Sequence, residues 1–223
     1  MHVVLSNEEQ NQPDAYPGWC NLSWFHDCRH ITGDAESHYH DAAEIWLWHE
    51  GTADGVLDGK EVPLYPGVMV YAPAGCLHAY RAHGRHSNTG IVPRRESWMR
   101  GGHLHVEETG ERLSPEMSAF HLPPEESHPR CPAVFPPSAF LKTAYRGQYE
   151  AGANVLNTVT TSWTAILVRE GRLAATVDGT AVVVNEPELL IVDQSCSLEV
   201  GAEAGCELAF AVGWPREDEG PST

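Results

Sequence analysis

The sequence lacks several features that mark common functional classes. It has 14 Lys and Arg residues against 31 Asp and Glu residues, which gives a formal net charge of −17 at pH 7. Nucleic acids and anionic membranes attract basic surfaces, so this charge argues against both as partners. No apolar run approaches the ~20 residues that are needed to cross a bilayer. The first apolar run, at 3–5, is too short for the core of a signal peptide, and we therefore expect a cytoplasmic protein.

Cysteine motifs and long helical patterns are also scarce. None of the six cysteines forms a CxxC pair, which argues against a zinc knuckle and a thioredoxin-type site. Short β-rich runs such as EIWLWHE (44–50) and GVMVYAP (67–73) instead alternate with turn signals such as Asp58-Gly59. Many short strands with regular turns predict an all-β sandwich or barrel.

The two halves of the chain repeat each other. With a shift of 120 residues, LWHEGTADGVLDGKEV (47–62) aligns with LVREGRLAATVDGTAV (167–182) without a gap. Both segments contain a Glu-Gly pair followed, eight positions later, by an Asp-Gly pair. This shared frame predicts a duplicated β unit.

The composition between the repeats predicts the domain boundaries. Residues 113–140 include seven prolines, which cannot donate to a β ladder, so we expect a linker or a wrapping loop there. The predicted organisation is a first domain at 1–112, the linker at 113–140, a second domain at 141–214 and a disordered tail at 215–223.

Candidate metal ligands cluster at the start of the first repeat. In an extended strand, residues i and i+2 lie on one face about 7 Å apart, so His38 and His40 would point the same way. Glu44 would share that face if the strand continued without a bulge. His78 follows a Pro-x-Gly turn that could return a neighbouring strand alongside the first. Three imidazoles and one carboxylate suit Fe(II), Mn(II), Ni(II), Co(II) or Zn(II), and they leave coordination positions for water or substrate.

At these residues the sequence resembles the cupin family. GDAESHYHDAAEIWLWHEG (33–51) is similar to the first cupin motif, and GVMVYAPAGCLH (67–78) is similar to the second. The spacing from the first glycine to the first histidine is one residue shorter than in the family pattern. The asparagine that often follows the last histidine is absent.

The resemblance implies an all-β fold of two tandem cupin barrels, also called double-stranded β-helices or jelly rolls. The first barrel would bind a divalent metal ion through the four candidate ligands. In the second barrel the equivalent positions hold no ligand; they are Thr158, Thr160, Thr164 and Leu198. The chain therefore resembles a bicupin with one metal site and one degenerate half. Many cupins dimerise, so the resemblance also implies that a homodimer can form.

Further side chains are candidates for the wall of the site. Trp46 and Trp48 continue the ligand face by the period of a strand, so they would line the substrate pocket or fill the barrel core. Tyr80, two residues after the last histidine, would hydrogen-bond a substrate as a catalytic residue or serve a structural role. GGHLHVEE (101–108) contains a second HxH pair without a Pro-x-Gly partner, and His103 or His105 could reach the pocket mouth from a loop.

Three functions are compatible with this pattern. The first is an Fe(II)-dependent dioxygenase that binds O2 and a small chelating organic substrate. The second is a redox-neutral isomerase, epimerase, lyase or cyclase in which Fe, Zn, Ni, Mn or Co polarises a carbonyl group. The third is a small-molecule-binding protein without catalysis. The fold itself does not choose between them.

Overall fold

The computed structural model shows an all-β protein, as predicted. The residues that it describes are 1–94, 99, 102–111, 113, 120–122, 133–135 and 140–214. Most of the predicted linker and the whole predicted tail at 215–223 lie outside these residues. None of the described helices is long and apolar enough to span a membrane.

The described elements alternate short strands with tight turns. In chain order the strands are β1 (His2–Leu5), β2 (Trp24–Ile31), β3 (Ala35–His38), β4 (Glu44–Glu50), β5 (Ala53–Leu57), β6 (Lys60–Leu64), β7 (Met69–Ala72), β8 (His78–Ala82), β9 (His86–Val92), β10 (Phe120–Leu122), β11 (Ala133–Val134), β12 (Leu141–Tyr149), β13 (Asn154–Val159), β14 (Thr164–Glu170), β15 (Arg172–Val177), β16 (Thr180–Asn185), β17 (Leu189–Val192), β18 (Ser197–Ala202) and β19 (Cys206–Gly213). The helical elements are two 3₁₀ turns (Glu9–Asn11 and Pro13–Ala15) and one short helix, α1 (Val106–Thr109).

The chain divides into two compact units. The N-terminal unit is Leu22–Ala133, and the C-terminal unit combines Met1–Asn21 with Val134–Thr223. The first 21 residues therefore group with the second half, whereas the sequence pattern placed them in the first domain. The reason is β1, whose short apolar run pairs antiparallel with β17.

The N-terminal unit consists of two antiparallel sheets. The five-stranded sheet has the order β10-β7-β4-β9-β2, and the four-stranded sheet has the order β3-β8-β5-β6. Asp58 and Gly59 both have positive φ, 47° and 77°, as a type I′ hairpin turn between β5 and β6 requires. Apolar side chains from both sheets form the core of the unit, which includes Trp46, Trp48, Leu57, Leu64, Val70 and Cys76.

The C-terminal unit repeats this arrangement. Its sheets have the orders β1-β17-β14-β19-β12-β11 and β13-β18-β15-β16. The shift of 120 residues places Glu44–Glu50 on Thr164–Glu170 and Met69–Ala72 on Leu189–Val192. Asp178 and Gly179 repeat the positive φ values of the first hairpin, at 49° and 79°. The predicted duplication therefore extends to the strand boundaries and to the backbone conformation of the turns.

Candidate metal centre

Three strands of the N-terminal unit carry three of the four predicted ligands, and the fourth lies between two of these strands. His38 ends β3, Glu44 begins β4 and His78 begins β8, while His40 lies in the crossing between β3 and β4. The strand does not continue from His38 to Glu44, so the condition under which Glu44 would share the face of His38 and His40 is not met. Because β3 belongs to the four-stranded sheet and β4 to the five-stranded sheet, the chain changes sheets between them. The side chains converge because the two sheets face each other, with His38 directly opposite His78 across the β3–β8 pair.

The four side chains form one compact group. One potential ligand atom from each of His38, His40, Glu44 and His78 lies within 4.8 Å of every other. A Glu44 carboxylate oxygen, Oε2, stands 3.2 Å from Nε2 of His40 and 3.3 Å from Nε2 of His78. All four side chains are nearly inaccessible; those of His40 and Glu44 are each 11% exposed. No other group of three or more His, Cys, Asp or Glu residues of this kind occurs in the described part of the chain.

Backbone carbonyls fix the orientation of all three imidazoles. Nδ1 of His38 lies 2.6 Å from the Glu36 carbonyl oxygen, and Nδ1 of His78 lies 2.8 Å from that of Cys76. Nδ1 of His40 lies 2.7 Å from the carbonyl oxygen of Gly102. Since a carbonyl oxygen only accepts hydrogen bonds, each Nδ1 carries the proton and donates it. Each neutral ring then has its lone pair on Nε2, which is the arrangement that second-sphere partners impose on metal-binding histidines.

The electrostatics of the group favour a neutral His38 imidazole and an ionised Glu44 carboxylate. Burial and the neighbouring imidazole of His78 lower the pKa of His38 to about 3, so this ring is neutral at pH 7. Burial raises the pKa of the Glu44 carboxyl, whereas the adjacent imidazoles of His40 and His78 lower it, an effect that requires a proton at Nε2 where a bound cation would otherwise lie. The net shift of the Glu44 pKa is downward.

This donor set fits a divalent first-row metal ion. A lone pair on a neutral Nε2 and a carboxylate oxygen repel each other at 3.2–3.3 Å, so a proton or a metal cation must lie between them. Ligand atoms stand about 2.0–2.2 Å from such an ion, so opposite ligands are about 4 Å apart. The observed spread of up to 4.8 Å needs only small adjustments to meet that requirement. The set matches the imidazole and carboxylate preference of Fe, Zn, Ni, Mn and Co ions.

Aromatic rings pack on one side of the group. The Trp46 ring lies 5.1 Å from the ring of His78, centroid to centroid, and 5.8 Å from that of Tyr80. Trp48 is 1% exposed and stacks on His86 at 4.9 Å, deeper in the core. Trp46 thus contacts a predicted ligand, whereas Trp48 contacts the rings of Tyr80 and His86. That either one lines a substrate pocket stays a prediction.

The Tyr80 hydroxyl belongs to a second polar contact. It lies 3.2 Å from Nε2 of His86, a ring that is fully buried. Burial, together with the nearby Cys28 thiol and Glu44 carboxylate, raises the pKa of Tyr80 to about 12. The phenol therefore keeps its proton at pH 7. A catalytic role for Tyr80 stays a prediction.

A segment far along the chain completes the site, and the sequence pattern did not reveal its extent. The backbone of Leu104 pairs with that of Tyr39 through two hydrogen bonds of 2.9 and 3.0 Å, which places residues 102–111 beside the ligands. The His103 ring stacks on His38 at a centroid distance of 4.1 Å and lies 5.3 Å from the ring of His40. His105 is farther away, at 6.1 Å from His38. The second HxH pair was the only sequence signal of this segment.

Two of the equivalent positions in the C-terminal unit have structural roles. Leu198, which replaces the last histidine, is fully buried among apolar side chains. Thr160, which replaces His40, donates a hydrogen bond from its hydroxyl to the carbonyl oxygen of Asp193 at 2.6 Å. The same hydroxyl accepts a hydrogen bond from the amide of Cys196 at 3.0 Å. Thr160 thus stabilises the turn before β18 through hydrogen bonds, and this structural role does not require a metal ion.

Comparison with known proteins agrees with this geometry. Residues 30–88 match the family described as the cupin domain, and this range includes all four converging side chains. The chain contains a cupin domain and has the fold of a bicupin. None of the curated proteins is significantly similar to the chain in sequence.

Several solved structures share the bicupin fold. A pirin from Escherichia coli in complex with nickel(II) is 14% identical, with a TM-score of 0.60 over 96% of this chain and 100% of that chain. The Bacillus subtilis oxalate decarboxylase with Mn(II) centres is 13% identical, with a TM-score of 0.60 over 95% and 72%. A salicylate 1,2-dioxygenase from Pseudaminobacter salicylatoxidans is 14% identical, with a TM-score of 0.56 over 95% and 76%. These identities establish a shared fold and leave the reaction open.

Proposed function

We propose that this bicupin is a metal-dependent enzyme, an Fe(II) dioxygenase that acts on a small chelating organic substrate. The observation that carries the proposal is the convergence of three Nε2 atoms and the Glu44 carboxylate, with every Nδ1 held by a backbone carbonyl. Salicylate dioxygenase, which shares the fold, adds support for oxygenase chemistry. The partners would be the substrate and O2, and the cysteine usage suits the cytoplasm.

The roles of the residues follow from their positions. His38, His40, Glu44 and His78 would hold the ion, and the carbonyl partners would keep the three rings oriented during exchange of substrate. When bound, an Fe(II) ion supplies the redox chemistry with O2. Trp46, which contacts His78, would shield this side of the site from water.

An oxygen-uptake experiment tests the proposal. The full chain would be loaded anaerobically with Fe(II) and mixed with enolisable ketones, enediols and phenols in the presence of O2. We expect substrate-dependent oxygen uptake that a His78→Ala variant loses, because His78 contributes a ligand from the second motif. Iron-loaded protein that consumes no oxygen with any of these substrates would contradict the dioxygenase assignment.

The Tyr80–His86 contact favours one alternative, a redox-neutral isomerase, lyase or cyclase. A protonated phenol that is hydrogen-bonded to a buried imidazole can deliver a proton and recover it through that ring. Under this alternative, activity would persist without oxygen and with Zn(II) or Ni(II). It would also fall in a Tyr80→Phe variant. A metal-bound protein that binds small molecules and returns them unchanged would instead be a binding protein.

A further inference from the structure

The segment 102–111 is fastened to the ligand-bearing strand along its length. Beyond the paired backbones of Tyr39 and Leu104, the Tyr39 hydroxyl donates to the Glu111 carbonyl oxygen at 2.8 Å. The His105 ring bonds the Ser37 carbonyl oxygen through Nδ1 at 3.1 Å. Together with the Gly102 contact to His40, these bonds hold both ends and the middle of the segment. The position of His103 is therefore built into the fold.

His103 differs from every other imidazole at this site. The rings of His38, His40, His78 and His105 each use Nδ1 to hydrogen-bond a backbone carbonyl. Among the described residues, the contacts of His103 are ring contacts and charge interactions, with no hydrogen bond to either nitrogen. Its ring is solvent-exposed, while the ligand rings next to it are nearly inaccessible. An imidazole carries at least one N–H in either charge state, so His103 always has a donor to offer.

The net charge of the metal-bound site determines which molecules would bind beside the N–H group of His103. Metal ligands bind in their deprotonated forms, so three neutral imidazoles and the Glu44 carboxylate would carry one negative charge, and a divalent ion would leave the centre with one net positive charge. Anionic oxygen ligands are favoured at such a centre. His103 stacks on the ring of His38 and meets the ring of His40 edge-on, so it borders the centre at these two ligands, whereas Trp46 contacts the third imidazole, His78.

We propose that His103 is a substrate-contacting residue and that the site selects small organic oxyanions with two neighbouring oxygen atoms. One oxygen would bind the centre, and the second would accept a hydrogen bond from the His103 imidazole. This inference rests on the proposed metal-dependent function and narrows its substrate class to carboxylates, hydroxy acids and related enolates. It also gives the second HxH pair of the sequence a role outside the ligand set.

A binding experiment with oxalate as the probe tests this inference. The full chain would be loaded with Co(II), and oxalate binding would be followed by the visible absorption of the ion. His103→Phe keeps a flat ring over His38 but removes the N–H, and His103→Asn keeps an N–H donor. Glu107→Gln, at an exposed position of the same segment, is the matched control. Chelator competition would report the Co(II) affinity of each variant independently of oxalate.

We expect the Phe variant to bind oxalate about 10- to 100-fold more weakly, as the loss of one hydrogen bond to a charged acceptor would cause. Its Co(II) affinity should match the wild type, the Asn variant should recover part of the oxalate affinity, and the Glu107 control should bind oxalate normally. Unchanged oxalate binding by His103→Phe would overturn the assignment. So would a parallel loss of Co(II) affinity, because His103 would then act only by positioning His38.

Co(II) and oxalate binding by the wild-type protein distinguish failure of the proposed substrate class from failure of the proposed metal-dependent function. Protein that binds Co(II) but not oxalate would overturn the substrate class while leaving the metal-dependent function intact. Protein that binds no metal would overturn both.

Discussion

Substitution by alanine should destabilise the protein more at Gly51 than at Gly59, the two glycines of the Glu-Gly and Asp-Gly pairs in the first repeat. Gly51 follows β4 with φ of +69°, and a Cβ there would lie 2.5 Å from the carbonyl oxygen of Arg85 and 2.9 Å from Cβ of His86. Gly59 has a similar φ of +77°, but a Cβ there would meet no atom within 4 Å. Both substitutions impose the left-handed conformation on a side chain, at a cost of about 1–2 kcal/mol. Only Gly51→Ala must also displace backbone.

The steric clash at Gly51 determines the expected difference in the free energy of unfolding between the two variants. Overpacking typically costs about 1–3 kcal/mol, so Gly51→Ala should lower the free energy of unfolding by about 2–5 kcal/mol and Gly59→Ala by about 1–2 kcal/mol. Urea denaturation followed by circular dichroism measures both. The C-terminal pair is an internal control, because Gly171 would clash with the Gly205 carbonyl oxygen at 2.2 Å and Gly179 would meet nothing. Equal costs within either pair would refute the reasoning.

Three further predictions concern the metal group and the core. Glu44→Gln removes the only negative charge of the four ligands, so the metal affinity measured by chelator competition should fall. The loss should exceed the factor of about 10–100 that is typical of substitutions in the second sphere, and an unchanged affinity would contradict the assignment. His38 has a pKa of about 3 when folded and an ordinary value of 6.5, so the unfolded chain binds the extra proton between these values. Stability of the metal-free protein should therefore fall as pH drops from about 6.5 towards 3, and His38→Gln should flatten the profile by at most about 1.4 kcal/mol per pH unit; an identical profile would argue against a neutral buried His38. Trp48→Ala would leave a cavity beside His86 and should cost about 3–5 kcal/mol in urea denaturation, whereas a loss below about 1 kcal/mol would place Trp48 outside the core.

The parts of the fold that were predictable are those governed by short-range rules. The Asp58-Gly59 signal predicted a tight hairpin because few residues adopt two consecutive positive φ angles, and the structure has that turn. The repeat predicted the second set of strands, since identical turn spacing imposes the same chain path. The side chains of His38, His40, Glu44 and His78 were recognisable as a group because the cupin motifs fix their spacing.

The parts that were missed depend on contacts between distant segments. Nothing local in the run at 3–5 shows that β1 pairs with β17, because a short apolar strand can join any open sheet edge. The change of sheets between His38 and Glu44 was missed because strand periodicity alone does not reveal where a strand ends. The carbonyl of Gly102 carries no side-chain signal at all, and its role beside His40 emerges only from the folded chain.

Metal content is the most direct test of the central claim that His38, His40, Glu44 and His78 form a metal centre. Protein purified without a histidine tag would be measured by elemental mass spectrometry beside a His40→Ala variant. The one described group of converging ligands predicts about one divalent first-row ion per chain, lost in the variant. Iron would favour the dioxygenase, whereas zinc or nickel would favour the redox-neutral alternative. Wild-type protein without metal after reconstitution, or equal metal in the variant, would contradict the claim.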